Sequence, residues 1–289
     1  MISSRNCNAM TDFRAYRSIL YLPAANARAI EKARTLASDA VILDLEDAVA
    51  PDAKPDARQA AAAAIRAGGW GRRDVTIRVN GLDTAWSADD FAAAVAAGAA
   101  AIVVPKVASA EEAAEAVRRA AGTPVWAMIE TPRGVQTVDA IADVAGVAAL
   151  LVGAADLEKD LRCRVGADRA EIQYALQRIV IAARASGKFA FDGVHTDIND
   201  PDGFAAVCHQ GLALGFDGKT LIHPSQIEIA NRVFAPSEAD VAQARRIIDA
   251  YETARSEGRG VATLGTKMVE VLHVEQARRT LAIAEAIAG

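Results

Sequence analysis

Strongly charged residues stand at the ends of short apolar runs in this chain, and their types suggest a chemistry before any fold is assumed. Glu46 and Asp47 close Val41-Ile-Leu-Asp-Leu, and Arg78 closes Val75-Thr-Ile. Glu130 closes Val125-Trp-Ala-Met-Ile, and Asp156 comes shortly after Val147-Ala-Ala-Leu-Leu-Val. Carboxylates brought together repel unless a cation sits among them. Glu130 and Asp156 are therefore candidate ligands for a hard divalent ion, which takes one or two protein carboxylates and fills its shell with water and substrate oxygens. The plainer alternative is a pair of solvated acids stabilising helix N-termini. Arg78 would be largely desolvated at the end of an apolar strand, and its planar fork suits a carboxylate or an enolate oxygen. A structural salt bridge to Glu46 or Asp47 is the competing role, and the two are compatible.

Other chemistry is weaker. Lys106, after Val103-Val-Pro, could form a Schiff base in a metal-free aldolase, but its place beyond Pro105 beside carboxylates favours an ion-paired lysine. Asp47 serves equally well as a helix cap. Gly218-Lys-Thr resembles the tail of a phosphate loop, yet the first glycine of that motif falls at Ala213. None of the four histidines has the i, i+4 partner of a zinc helix. His223-Pro224 ends a strand and shapes a turn before Ser225, a candidate helix cap.

The elements that must hold these groups are legible in outline. Strands are expected over 19–22, 40–45, 75–79, 101–104, 125–129, 148–152, 189–191 and 218–222. Between and after them, helices are expected over 27–36, 55–67, 87–97, 110–121, 135–142, 170–186, 203–214 and 225–233. Eight βα units in about 210 residues match a (β/α)8 TIM barrel, with the charged groups at the carboxyl rim. An open doubly wound sheet competes, because periodicity does not report closure. Residues 17–234 form this catalytic domain. Residues 1–16 are expected as a disordered lead. Residues 235–289 form a C-terminal helical extension, with a Ser237-capped helix to about Glu257, a glycine-rich loop from Gly258, and a last helix over 274–287.

Composition narrows the partners. Net charge is −5 and pI near 5.5, which argues against a nucleic-acid surface. No apolar run approaches the roughly 20 residues of a membrane span, and no secretory signal is visible. Three scattered cysteines imply no disulfide framework and fit a reducing cytoplasm.

Several motifs in order are also recognisable. Arg17-Ser-Ile-Leu-Tyr-Leu-Pro, Val41-Ile-Leu-Asp-Leu-Glu-Asp-Ala-Val-Ala-Pro, Arg78-Val-Asn, Pro105-Lys, Ile129-Glu-Thr-Pro-Arg-Gly, Gly218-Lys-Thr-Leu-Ile-His-Pro-Ser-Gln-Ile and Lys267-Met-Val resemble the citrate lyase β-subunit family. That family sits with malyl-CoA and citramalyl-CoA lyases in the aldolase/citrate lyase superfamily, and the likeness runs from about Arg17 to Ala284. It implies a homotrimer or dimer of trimers that uses Mg2+ to break or form a carbon–carbon bond beside a CoA thioester, with a small 2-oxo acid as the other partner. By position, Glu130 and Asp156 resemble the metal ligands, with Glu46 and Asp47 as supporting acids, and Arg78 resembles the substrate arginine. Tyr21, Arg28, Lys32, Thr220 and Leu221 match positions that contact the acyl-CoA. Glu270 matches the acid/base aspartate that reaches a neighbouring subunit's site, one methylene longer. Ala24, Ala155, Arg162 and Thr266 depart from the family pattern.

The chemistry this implies is cleavage of a 3-hydroxyacyl-CoA such as malyl-CoA or citramalyl-CoA to acetyl-CoA and a 2-oxo acid, or the reverse condensation. In it Arg78 steadies charge on oxygen and Glu270 protonates the enolate carbon. Two alternatives stay open. One is a citrate lyase β-type subunit acting on a carrier-bound citryl group. The other is a catalytically weakened homologue that binds a 2-oxo acid or CoA.

Overall fold

The computed structural model describes residues 14–289, so the expected lead lies, up to residue 13, outside the described residues. The chain divides into two compact units, one over Tyr16–Phe234 and one that includes Ala235–Gly289.

The larger unit is a closed barrel of eight parallel strands in sequence order. They are β1 (Ser18–Pro23), β2 (Ala40–Asp44), β3 (Asp74–Arg78), β4 (Ile102–Val104), β5 (Val125–Ile129), β6 (Val147–Val152), β7 (Phe189–Asp192) and β8 (Gly218–Leu221). Closure, which the sequence left open against a doubly wound sheet, comes from the pairing of β1 with β8. Gly218 is essential to that seam: a Cβ there would meet the Tyr16 carbonyl oxygen at 1.6 Å. The lysine that follows belongs to a strand, and no phosphate loop forms.

Alternation along the strands sorts the side chains into two layers. On β2, Ala40 and Ile42 join an inner cluster with Val103, Met128, Leu151 and Phe191. Val41 and Leu43 join the outer layer beneath the helices. Asp44 continues the inward set, as does Glu130, one residue beyond β5. At the amino end of the strands, Tyr16, Trp126, Phe189 and Phe191 pack ring against ring at 5.0–5.9 Å between centroids, forming a floor.

Helices α1 (Ala27–Ala33), α2 (Lys54–Arg66), α3 (Ser87–Ala97), α4 (Ala110–Arg119), α5 (Pro132–Ala142), α6 (Ala154–Leu161), α7 (Gln173–Ala185), α8 (Pro201–Leu214) and α9 (Ile227–Phe234) make up the rest of the unit. Their starts follow local rules: Ser109, Thr131 and Asp200 each accept an N–H from the first turn, and prolines stand early in α5 and α8. Helix α6 was not expected. Its eight residues bury only Leu157, too little apolar periodicity to register in the sequence. Ser225 is not the cap expected of it; the His223 ring accepts its N–H in a short 3-10 turn before α9.

The second unit holds α10 (Glu238–Ser256), an antiparallel hairpin of β9 (Ala262–Leu264) and β10 (Lys267–Val269), and α11 (Val271–Ala288). Ser237 caps α10, and Asp240 returns a bond to the Ser237 N–H. The hairpin corrects the expected glycine-rich loop. Gly265, with φ of 61°, turns it, a conformation glycine adopts without strain. Ala254, Ala262, Val269 and Val274 form a small core of this unit. Among the described residues no helix is long and apolar enough to cross a membrane.

Candidate active site

The charged groups of the inner layer meet at the carboxyl rim. Strand register places Asp44 opposite Arg78, and the side chains join side-on, Nε to Oδ1 and Nη2 to Oδ2, both at 2.7 Å. The salt bridge anticipated for Arg78 thus has Asp44 as its main partner. Glu46 Oε2 lies 2.8 Å from Nη1 and Asp47 Oδ2 3.7 Å away. Tyr21 lies under the guanidinium, 5.0 Å from ring centre to Cζ, a cation–π arrangement. Burial raises the Tyr21 hydroxyl above its usual range, so it stays protonated. Burial works against the charge on Arg78, but its bond to Asp44 and the surrounding negative charge together outweigh that and the pKa is raised. Asp44 uses two of the five guanidinium donors. Nη1, which faces Glu46 as an ion pair, and the remaining Nη2 hydrogen are left for a ligand.

Glu46 extends the network. Its Oε1 accepts from Lys106 Nζ at 2.7 Å, so Lys106 is the ion-paired lysine expected. Its Oε2, although close to Arg78, is out of line with the N–H and accepts no hydrogen bond. Burial raises the Glu46 pKa despite the opposing pull of Arg78. Lys106 also serves through its backbone: its N–H donates to Glu130 Oε1 at 2.7 Å. The φ of 57° at Lys106 is uncommon for a residue with a side chain.

Glu130 is 2% exposed. Burial, then the charge of Glu46, and further on that of Asp156, push its carboxyl up to about 8. Gly153 makes room for it: a Cβ there would lie 2.2 Å from Glu130 Oε2. Asp156 sits in the first turn of α6, where Lys159 holds its Oδ1 at 2.9 Å. Glu130, Asp156, Arg78, Asp44, Asp47 and Tyr21 all line one cavity of about 410 Å3. Its remaining wall is largely apolar, with Met128, Val152 and Val194 among the contributors.

The other sequence candidates separate. Thr220 lines the cavity, whereas the Leu221 side chain is buried in the outer layer. Arg28 and Lys32 are exposed, one turn apart on α1. Glu270 belongs to the second unit, at the start of α11, where its N–H donates to His273 Nδ1 at 3.0 Å. Sequence reasoning missed Asp44 as a site residue. The available signal was its place as the last residue of an otherwise apolar strand, on the same face as Glu46. It also missed Gly153 and the backbone of Lys106, whose contacts with Glu130 come from residues 23 and 24 positions away.

Among the described residues, no group of three or more His, Cys, Asp or Glu side chains is arranged to hold a metal. Two carboxylates facing one cavity are the smaller set that Mg2+ takes when water and substrate oxygens complete its shell. The crowding of Glu130 with Glu46 and Asp156, and the space Gly153 leaves around its oxygen, suit a hard cation.

A (β/α)8 barrel with an acidic, arginine-bearing carboxyl rim defines the class. The profile of the HpcH/HpaI aldolase/citrate lyase family matches residues 17–224, and the chain belongs to that family. A (3S)-malyl-CoA thioesterase of Cereibacter sphaeroides is 46% identical over 95% of this chain and 96% of its own length. The citrate lyase subunit beta of Escherichia coli is 34% identical over 94% of each chain. Among solved structures, the protein CitE from Mycobacterium tuberculosis in complex with magnesium, acetoacetate and coenzyme A superimposes with a TM-score of 0.76. It is 32% identical, over 94% of this chain and 98% of that one.

Proposed function

We propose that this protein is a Mg2+-dependent enzyme acting on a 3-hydroxyacyl-CoA thioester of the malyl or citramalyl type, with the acid end of the substrate in the barrel mouth. The observation that carries this reading is the Glu130 carboxyl. Raised to about 8 and sharing a cavity with Asp156 and Arg78, it gains from a cation that lets it ionise. Glu130 and Asp156 would hold the ion. Bound Mg2+ would supply a Lewis acid and template for the carboxylate and neighbouring hydroxyl of the acid. The CitE structure, with magnesium and coenzyme A together, supports both assignments.

The protein's own groups divide the remaining work. Arg78, locked by Asp44 and stacked on Tyr21, offers its free N–H groups to the thioester oxygen where negative charge develops. Arg28 and Lys32 pair with the CoA phosphates, and Thr220 contributes to the wall. Glu270, the acid/base candidate, acts from the C-terminal unit of a neighbouring copy in a homotrimer or dimer of trimers.

Two reactions begin from that complex. We put hydrolysis first, because the relatives at 45–46% identity over nearly the whole chain are (3S)-malyl-CoA thioesterases. Glu270 takes a proton from water, whose oxygen adds to the thioester carbon. The C–S bond then breaks, and malate and CoA thiol leave. Carbon–carbon cleavage is the second reading, favoured by the citrate lyase relatives. Here Glu270 takes the hydroxyl proton, the oxygen becomes a carbonyl as the bond to the thioester-bearing carbon breaks, and Glu270 returns the proton to that carbon.

One incubation separates these outcomes. Purified protein with Mg2+ and (3S)-malyl-CoA releases free thiol and malate if it hydrolyses, or acetyl-CoA and glyoxylate if it cleaves. Citramalyl-CoA gives pyruvate in the second case. Turnover confined to a carrier-bound citryl group would identify a citrate lyase β-type subunit. Tight binding without turnover would identify a weakened homologue. No binding and no turnover of any of these thioesters would overturn the proposal.

A further inference from the structure

Gly218 and Lys219 have no part in the chemistry above, yet Lys219 is fully buried. Its side chain leaves the sheet on the outer face and meets Asp192, also fully buried, at 2.9 Å. Arg169 reaches the same carboxylate with Nη1 at 2.7 and 3.0 Å, and donates through Nε to Gln210 Oε1 at 2.7 Å. Helix α8 covers the group closely: a Cβ on Gly211 would lie 2.8 Å from Asp192 Oδ2. Burial works against the charge on Asp192, but Lys219 and Arg169 outweigh it and pull the carboxyl down. Stability alone is a poor reason for such a cluster, since well-packed apolar residues often serve a core as well or better.

The remaining bonds of the cluster converge on one residue. Asp192 Oδ1 accepts the Gly193 N–H at 2.8 Å, and Lys219 Nζ donates to the Gly193 carbonyl. Both polar backbone groups of Gly193 are thus held by buried charged side chains. Gly193 in turn presses on the far side: a Cβ there would come within 2.8 Å of the Val152 carbonyl oxygen and 3.2 Å of the Ala154 Cβ. Val152 ends β6 and Ala154 opens α6, so this is the turn that presents Asp156. Behind α6, the segment leading to α7 is tied back by Arg169, whose φ is 54°. Thr220 adds a bond to the Asp192 carbonyl at 3.0 Å.

We infer that Lys219, Asp192 and Arg169 form a positioning clamp that acts through Gly193 to seat the turn from Val152 to Asp156. The clamp thereby sets how Asp156 faces Glu130 across the mouth. This inference rests on the reading of Glu130 and Asp156 as metal ligands. None of the three clamp residues lines the cavity. They act as an outer shell, where substitutions typically cost about 10–100-fold in metal affinity.

The test is direct binding of Mn2+, as a spectroscopic stand-in for Mg2+, to the metal-free full-length protein, with thermal unfolding measured in parallel. Gly193→Ala leaves every charge in place and crowds the turn. Arg169→Met leaves Asp192 and Lys219 as a matched pair, so it strands no charge. Mn2+ affinity is expected to fall about tenfold or more in both, with the barrel's circular dichroism retained. Variants that lose thermal stability but bind Mn2+ as tightly as the parent would reduce the cluster to packing and overturn the clamp. A parent protein that binds no Mn2+ would instead overturn the metal reading beneath it. If either variant fails to fold, the other decides.

Discussion

Asp44 and Arg78 lie 34 residues apart in the chain and end neighbouring strands in register, joined by two parallel hydrogen bonds of 2.7 Å. Because both side chains are nearly buried, at 3% and 11% exposure, removing one partner leaves the other's charge stranded. Such losses run to about 3–5 kcal/mol. Asp44→Asn is expected near the lower end, since Glu46 still neighbours the guanidinium. Urea unfolding checks this; a midpoint equal to that of the parent would show that the pair adds nothing. Arg78→Lys keeps a charge but loses the fork, so turnover should fall far more than stability does.

Glu130 makes stability depend on pH in a definite direction. Its folded carboxyl sits at about 8, against roughly 4.3 for an unfolded glutamate. Between those values the native state holds a proton that the unfolded chain has lost. The contribution is fully present below the unfolded value and disappears as pH rises through 8. The metal-free protein should therefore lose on the order of 2–4 kcal/mol between pH 5 and 8 from this group. Glu130→Gln should lack that component. Added Mg2+ should shrink it in the parent, because ion and proton compete for one carboxylate. Matching stability profiles for parent and variant would contradict the assignment. Loss of Mg2+-dependent turnover in Glu130→Ala is the companion expectation.

Gly153→Ala isolates geometry from charge. Its new methyl would lie 2.2 Å from Glu130 Oε2, so the carboxylate must move. Activity at limiting Mg2+ should drop about 10–100-fold, and excess Mg2+ should recover part of it. A metal titration of the rate is the measurement, and an unchanged Mg2+ requirement would rule out Glu130 as the ligand disturbed.

Gly218→Ala should act on the barrel itself. A Cβ 1.6 Å from the Tyr16 carbonyl is incompatible with the β1–β8 seam as it stands. The variant is expected to be insoluble, or to unfold at least about 4 kcal/mol more easily. Soluble expression followed by a melt decides the point.

The barrel was legible because its strands are short, almost wholly apolar runs at regular spacing, and each one expected in the sequence occurs within a residue or two of its place. The rim acids and Arg78 were legible for the same reason: a charge that closes an apolar strand stands out. What stayed hidden depends on register and on contacts between distant segments. Asp44 is a partner of Arg78 only once β2 and β3 are aligned, and Gly153 matters only because β6 ends beside Glu130. Helix α6 was hidden by its near-total lack of an apolar face, with Leu157 its single buried residue. Glu270 stands at a helix start in a unit whose hairpin gave no alternating signal longer than three residues.

The ring-packed floor formed by Tyr16, Trp126, Phe189 and Phe191 makes the barrel a cup rather than a tube. Whatever is taken in at the rim has to come out by the same opening, so under the proposed reaction a small acid left at the bottom would be trapped until the bulkier nucleotide-bearing piece had moved aside. Product inhibition by the larger fragment would follow from such a vessel if the proposed reaction holds.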